Sequence, residues 1–167
     1  MLRWHAEWSI MAFVYLLTMV TLLRTDSTNE DYRKLVSELD KDLAARDGDD
    51  APFFAQYNKS DDIKYVIVAY ENGIAVGSGA IKHYEGDTVE IKRMYVPLEH
   101  RGKGIASIVL KDLELWAKEL NYAKCILETG KKMPEAIRVY EKNGYALIPN
   151  YGQYAGVEES VCFEKLL

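Results

Sequence analysis

Two glycines, Gly102 and Gly104, stand where a β-rich segment gives way to a helical one. They follow residues 89–96 and precede residues 105–120, in which apolar side chains recur every three or four positions. Glycine lets a backbone approach a ligand without interference from a Cβ atom, and the first N–H groups of a helix have no partners inside the helix. Those N–H groups lie at the positive end of the helix dipole and would stabilise a phosphate. Glycine also serves ordinary tight turns, so the spacing alone leaves both interpretations open.

Two glutamates are the candidates for proton transfer. Glu90 lies on the polar face of the predicted strand at residues 88–96, and Glu128 lies near the end of the next predicted strand, residues 124–128. A carboxylate in either place could act as a general base or acid. Either could also be a structural partner of a nearby cation, and the sequence leaves these alternatives open.

Three predicted strands are the first elements that must position these residues. Short turns join them, so they form an antiparallel meander. Asn72 and Gly73 give the strongest hairpin signal between the first two strands. Gly77 and Gly79 leave the middle strand without side chains at two positions, which permits a bulge or the close approach of another backbone. The three predicted strands are residues 64–70, 74–84 and 88–96.

Helices are expected before and after this meander. Thr28 and Asp31 predict a capping box at the start of a helix that Gly48 ends. The helix at residues 105–120 favours a crossover to a parallel strand at residues 124–128. Other predicted elements are short helices at residues 52–57 and 134–141 and strands at residues 19–24, 145–148 and 160–165. The expected fold class is therefore α/β of the α+β type, with a mixed, mainly antiparallel sheet of about six to seven strands flanked by about four helices.

The composition suits one globular domain that combines helices and strands. The chain has 167 residues, of which 49% are hydrophobic and 28% charged, and its formal net charge is −5. This acidic balance provides no broad basic surface, so a nucleic-acid partner is not expected. Cys125 and Cys162 lie in apolar strand-like segments without a third ligand nearby, which indicates buried thiols in a reducing compartment and no metal site.

The first 18 residues form a hydrophobic extension of the predicted domain at residues 19–167. Residues 8–23 carry no charge over 16 positions, whereas a membrane-spanning helix needs about 20, and no cleavage site of a secretory signal is found. Met19 could be a natural start before a first strand, which would make the extension dispensable. A helix that packs on the domain or on a partner is the main alternative, and a membrane anchor is the least favoured.

Two sequence blocks carry a resemblance to a known family. The segment Arg101-Gly102-Lys103-Gly104-Ile105-Ala106 resembles the Arg/Gln-x-x-Gly-x-Gly/Ala motif of the GNAT superfamily of acyl-CoA N-acyltransferases. A second block, Ala136-Ile137-x-x-Tyr140-Glu141-Lys142-x-Gly144-Tyr145, is similar to the other common signature of that superfamily. The blocks stand in the order that the superfamily has, and the resemblance covers residues 19–166. It implies a domain whose parallel strand pair splays apart.

The resemblance also implies acetyl-CoA as the co-substrate, without a metal. The backbone of residues 94–96 would hold the pantetheine arm, and the N–H groups of residues 101–106 would surround the diphosphate. Lys103 would add charge toward the phosphates or remain a solvated loop lysine, and Met133 replaces an asparagine that contacts the arm in many members. The implied cofactor-binding residues are Met94, Tyr95, Val96, Arg101, Gly102, Lys103, Gly104, Ile105 and Ala106.

Acetyl transfer to an amine requires an unprotonated nitrogen, a polarised carbonyl and a proton for the departing thiolate. The resemblance implies that Tyr140 supplies this proton, whereas the residue by itself could be an aromatic on the core face of its helix. It implies Glu90 as the base that accepts a proton through water, with Glu128 as the competitor. Direct attack needs no nucleophilic side chain, so no acyl-cysteine is expected at Cys125 or Cys162.

These expectations describe a cytoplasmic, acetyl-CoA-dependent N-acetyltransferase that acts on a small-molecule or peptide amine in a ternary complex. The alternative is a non-catalytic module of the same fold that holds CoA or a partner. Five aspartates at residues 40–50 could attract a cationic amine or form a solvated helix face. The sequence also leaves open whether the protein is a homodimer, since the last strands could pair between subunits.

Overall fold

A seven-stranded mixed sheet organises residues 19–167, the part of the chain that this computed structural model describes. The strands are β1 Val20–Thr25, β2 Tyr65–Glu71, β3 Ile74–Glu85, β4 Thr88–Tyr95, β5 Lys124–Gly130, β6 Ala146–Ile148 and β7 Ser160–Leu166. Their order across the sheet is β1-β2-β3-β4-β5-β7-β6, and β4 and β5 form the parallel pair. This sheet confirms the expected fold class, and the predicted extension at residues 1–18 lies outside the described residues.

Within residues 19–167, three α-helices of nine residues or more and one short α-helix accompany the sheet. They are α1 Glu30–Asp47, α2 Ala51–Ala55, α3 Ile105–Glu119 and α4 Pro134–Lys142. The fourth helix expected from the sequence is thus only the five-residue α2. Among residues 19–167, no helix has both the length and the apolar character needed to cross a membrane.

Alternate residues of β2 belong to two separate apolar clusters, because successive side chains of a strand point to opposite faces. Val66 and Val68 pack with Tyr32 and Leu35 of α1 on one face. Ile67 and Ala69 belong to the larger cluster on the other face, which includes α3 and Tyr140 of α4. The sheet therefore carries α1 on one side and α3 with α4 on the other.

The two glycines of β3 let α3 lie very close to the sheet. A Cβ atom at Gly77 would lie 2.8 Å from Cγ2 of Ile105, and one at Gly79 would lie 2.9 Å from side-chain atoms of Val109 and Leu113. No real side chain fits at such distances, so both glycines are needed where the helix crosses. This contact fixes the start of α3 above the end of β4.

Strands β4 and β5 pair over three residues only and then separate. Thr88, Val89 and Glu90 pair with residues 124–126, although β4 continues to Tyr95. Near the separation, Arg93 has a φ of 56° and the register of β4 with β3 shifts, which is the geometry of a β-bulge. The sheet therefore contains the splayed parallel pair that the family resemblance implies, and the gap between these strands is where the candidate site lies.

Candidate active site

A cavity of about 340 Å³ lies where the end of β4 meets the start of α3 and the length of α4. Met133 and Tyr140 form part of its wall on the α4 side, and Leu39 and Asp42 contribute from α1. Eight of the nine residues that the sequence predicts for cofactor binding line it. They are Met94, Tyr95, Val96, Arg101, Gly102, Gly104, Ile105 and Ala106.

Residues 102–107 present six consecutive backbone N–H groups that donate to no acceptor in the described part of the chain. Before them, the N–H of Arg101 donates to the carbonyl of Leu98 at 3.3 Å. After them, helical hydrogen bonding begins with the N–H of Ile108, which donates to the carbonyl of Gly104 at 3.1 Å. The loop and the first turn of α3 thus form one continuous row of free donors.

Gly102 and Gly104 keep this row accessible. Both have left-handed backbone conformations, with φ values of 79° and 81°, which side chains other than glycine rarely adopt. A Cβ atom built on either glycine would meet nothing within 4 Å, so the space in front of the loop is open. Free N–H groups and the positive end of the 15-residue α3 favour an anion at this position. The residues present therefore fit the diphosphate of coenzyme A.

The two cations of the loop already have partners. The Arg101 side chain donates from Nε to the carbonyl of Val96 at 2.8 Å and forms ion pairs with Asp42 at 3.4 Å and Glu135 at 3.5 Å. Lys103 pairs with Glu71 at 2.9 Å and does not line the cavity. Arg101 therefore connects α1, the loop and α4, whereas Lys103 is directed toward β2.

Tyr140 lies at the junction of this cavity with a second one. The second cavity, of about 110 Å³, lies on the α1 side of the splayed strands, and Tyr140 lines both. The residue is only 6% exposed, and its ring packs against those of Tyr145 and Phe163. Burial raises the pKa of Tyr140 above its ordinary value, so its hydroxyl is protonated at neutral pH. No group among residues 19–167 forms a hydrogen bond with that hydroxyl.

Three carboxylates line the second cavity: Asp47 from the end of α1, Glu90 from β4 and Glu128 from β5. Glu90 is 8% exposed and is fully engaged, because it accepts from Lys92 Nζ at 3.1 Å on one oxygen and from the Tyr151 hydroxyl at 3.0 Å on the other. Phe54 of α2 and Tyr154 complete the aromatic part of the wall.

Glu128 has a different environment. Its Oε1 accepts a hydrogen bond of 2.6 Å from the Ser160 hydroxyl, and its Oε2 has no donor in the described part of the chain. Burial raises the pKa of Glu128 to about 7, although the hydrogen bond from Ser160 opposes this effect. A carboxyl group that titrates near neutral pH can exchange protons with a substrate under ordinary conditions.

Several residues of this site were not found by sequence reasoning. Asp47 was seen only as one of five aspartates, and Ser160 was only the start of a strand. The hydrogen bond from Tyr151 to Glu90 has no sequence signal. Met133, which stands where the family resemblance implies an asparagine, lines both cavities.

The two cysteines lie outside both cavities. Cys125 and Cys162 are fully buried free thiols. Burial raises the pKa of Cys125 to about 12 and that of Cys162 to about 11, so neither forms a thiolate readily. Within residues 19–167, no group of three His, Cys, Asp or Glu side chains is arranged to hold a metal ion.

Comparison with known proteins gives concordant matches. A family model described as acetyltransferase (GNAT) family matches residues 24–145. An IAA acetyltransferase of Azospirillum brasilense is 32% identical over 155 residues, which cover 89% of this chain and 98% of the relative. A solved structure from Klebsiella pneumoniae, assigned to the acyl-CoA N-acyltransferases, has a TM-score of 0.75 and 26% identity. The match covers 90% of this chain and 99% of the chain in that structure. PaiA N-acetyltransferase from Thermoplasma acidophilum, solved in complex with coenzyme A, shares the fold with a TM-score of 0.69 at 16% identity, over 89% of this chain and 99% of its own.

Proposed function

Because the chain belongs to the GNAT acetyltransferase family, we propose that it transfers the acetyl group of acetyl-CoA to a primary amine by direct attack in a ternary complex. The observation that carries this proposal is the position of Tyr140, which lines both the cavity beside the free N–H groups and the cavity of the carboxylates. A donor in the first cavity and an amine in the second would meet at this phenol.

The larger cavity supports the donor side of the proposal. Acetyl-CoA, when bound, supplies an acyl carbon that is activated as a thioester. The N–H groups of residues 102–107 would hold its diphosphate, and the end of β4 at residues 94–96 would lie along its pantetheine arm. The proposal therefore keeps the nine cofactor-binding residues expected from the sequence, with Lys103 the most peripheral of them.

Two protons must move for the reaction to balance. The new bond joins the amine nitrogen to the acyl carbon, and the broken bond joins that carbon to sulfur. In the proposal, Glu128 accepts the proton that the nitrogen loses, and Tyr140 gives a proton to the departing sulfur. Solvent then takes a proton from Glu128 and returns one to Tyr140, so both side chains end as they began.

We assign the base to Glu128 because its pKa of about 7 and its unoccupied Oε2 suit proton exchange. Glu90, the first expectation from the sequence, has both oxygens engaged by Lys92 and Tyr151. In this arrangement Glu90 holds the wall of the acceptor cavity. Replacing each glutamate in turn by glutamine separates the two assignments.

The acceptor is proposed only as a small-molecule or peptide amine. Its reactive end must enter a narrow cavity with three carboxylates and several aromatic rings in its wall. A cytoplasmic location belongs to the same proposal, since free buried thiols are typical of proteins from a reducing compartment.

The test is a screen of the full chain against a broad panel of primary amines, in which thiol release from acetyl-CoA is measured. Titration with acetyl-CoA in a thermal-shift assay is run beside it. Amine-dependent thiol release that is lost in Tyr140→Phe would support the proposal. Stabilisation by acetyl-CoA without turnover on any amine would instead favour a non-catalytic CoA-binding module.

A further inference from the structure

We propose that Ser160 is a positioning residue, which holds the carboxylate of Glu128 in the acceptor cavity through one of its two oxygens. The Ser160 hydroxyl donates to Oε1 of Glu128 at 2.6 Å, and Ser160 is 4% exposed. This inference rests on the proposed function, because it assigns a task to a residue that supports the proposed base.

The register of β5 and β7 explains why these two side chains meet. The strands are antiparallel, Glu128 pairs with Cys162, and Ser160 pairs with Gly130. Ser160 and Cys162 lie on the same face of β7, so Ser160 is the diagonal neighbour of Glu128. Gly130 has no side chain to fill the space directly opposite Ser160, and the hydroxyl can therefore reach the glutamate.

The backbone around Ser160 is itself fixed. The side-chain amide of Asn150 donates to the carbonyls of Val157 at 2.8 Å and Ser160 at 3.1 Å. The N–H of Ser160 also donates to the carbonyl of Val157 at 3.2 Å. A donor on a fixed backbone loses little conformational freedom when it binds, so the position of Glu128 is well defined.

This single hydrogen bond leaves Oε2 of Glu128 free for a substrate amine or a water. It also opposes the effect of burial, because a donor to a carboxylate stabilises the charged form. The ionisable groups that face Glu128 from the surrounding elements are Glu90 and Lys92 of β4, Asp47 of α1, Tyr140 of α4, Tyr154 after β6 and Cys162 of β7. Lys92 is the cation among them, and it is already paired with Glu90. Ser160 is therefore the neutral donor that keeps Glu128 ionisable near neutral pH.

The experiment compares wild type, Ser160→Ala and Ser160→Thr in the full chain, using acetyl-CoA and an amine found in the screen. For Ser160→Ala we expect the acidic limb of kcat/KM to move up by about one pH unit, with a loss of roughly tenfold at pH 6.5 and recovery at pH 9. The KM for acetyl-CoA should stay the same, and Ser160→Thr should restore the profile. Ser78→Ala is the matched control, since Ser78 is also buried but its hydroxyl has no partner among residues 19–167.

A second measurement tests the inference without turnover. The pKa of Glu128 is followed by carboxyl NMR in wild type and Ser160→Ala, with Glu128→Gln used for assignment. A higher pKa in Ser160→Ala supports the positioning role even if no amine is turned over, in which case the proposed function alone would be rejected. An unchanged pKa, or an activity loss that is equal at every pH and is not rescued by threonine, would overturn the role of Ser160.

Discussion

Tyr151 donates a hydrogen bond of 3.0 Å from its hydroxyl to Oε1 of Glu90, and so connects the loop before β7 to the middle of β4. Burial and the adjacent carboxylate both raise the pKa of Tyr151, so the phenol stays protonated and remains a donor. Lys92 occupies the other oxygen of Glu90 at 3.1 Å. Two glutamates therefore line one cavity in different environments, since both oxygens of Glu90 are bonded and Oε2 of Glu128 has no donor among residues 19–167.

This difference predicts unequal effects of the same substitution. Glu128→Gln removes the proposed base, so we expect kcat to fall by about 10²-fold or more, the range typical of general-base removal. Glu90→Gln keeps an acceptor for Tyr151 and should lower kcat by less than about tenfold. Initial rates of thiol release at saturating acetyl-CoA measure both effects.

Each of these two variants serves as the control for the other, because both lose one carboxylate in the same cavity. Both should bind acetyl-CoA as tightly as wild type in a direct titration. A larger loss in Glu90→Gln than in Glu128→Gln would return the role of base to Glu90.

Glu128→Gln is also predicted to stabilise the fold at high pH. The pKa of Glu128 is raised from 4.5 to about 7 in the folded chain, so its charge opposes folding increasingly as the pH rises from 4.5 to about 7. Discounted for the partial exposure of Glu128, the raised pKa lowers the free energy of unfolding by about 2 kcal/mol above pH 7. The amide carries no charge, and Ser160 can still donate to its oxygen.

The measurement is the free energy of unfolding of wild type and Glu128→Gln by urea at pH 5 and pH 8. We expect the variant to be close to wild type at pH 5 and more stable at pH 8. A difference that is independent of pH would mean that the pKa of this carboxyl is not raised in the folded chain.

The local parts of the fold were predictable because short-range chemistry determines them. Asn72 and Gly73 both have positive φ values, 53° and 78°, as the hairpin signal requires. Gly77 and Gly79 were read as allowing close approach, and it is α3 that approaches them. The glycines of the loop were recognisable because their spacing and the helix after them lie in one stretch of chain.

One local prediction was wrong. Thr28 was expected to cap α1, but the cap is Asn29, whose side chain accepts from the N–H of Tyr32 at 2.9 Å. Thr28 instead donates from its N–H and its hydroxyl to Asp26, at 2.8 Å and 2.6 Å. Short polar side chains compete for the same backbone donors, and spacing alone does not decide between neighbours.

The partners of the candidate catalytic groups could not be predicted, because they depend on the register of distant strands. Ser160 meets Glu128 only because β5 and β7 pair with Gly130 opposite Ser160, and the two residues are 32 positions apart. A shift of one residue in the pairing of β5 with β7 would turn Ser160 to the other face of the sheet. Arg101 bonds to Asp42, 59 positions earlier, because α1 packs beside the loop, and no local sequence signal reports that contact.

Tyr140→Phe is predicted to separate turnover from binding. Removing the hydroxyl takes away the proposed proton donor for the thiolate but leaves the ring that lines both cavities. We expect kcat to fall by about 10²-fold and the Kd of acetyl-CoA to change by less than about twofold. Stopped assays of thiol release measure kcat, and a binding titration measures the Kd of acetyl-CoA.

Tyr145→Phe is the matched control for this substitution. Its ring lies 5.9 Å from that of Tyr140 in the same apolar cluster, but Tyr145 lines neither cavity. It should therefore retain wild-type turnover. Equal kcat values in the two phenylalanine variants would remove Tyr140 from the role of acid.

Gly104→Val is predicted to weaken acetyl-CoA binding, whereas the same substitution at Gly86 is not. The substitution forces a β-branched residue into a left-handed conformation and places its side chain in the open space before the free N–H groups. Gly86→Val is the control, because Gly86 also has a positive φ, 51°, and open space around it but lies in the turn between β3 and β4. Both variants should lose stability by roughly 1–2 kcal/mol, which urea unfolding measures. Only Gly104→Val should raise the Kd of acetyl-CoA, by tenfold or more, because only there does the side chain block the row of donors. If the two variants bind acetyl-CoA equally well, residues 102–107 do not hold the diphosphate.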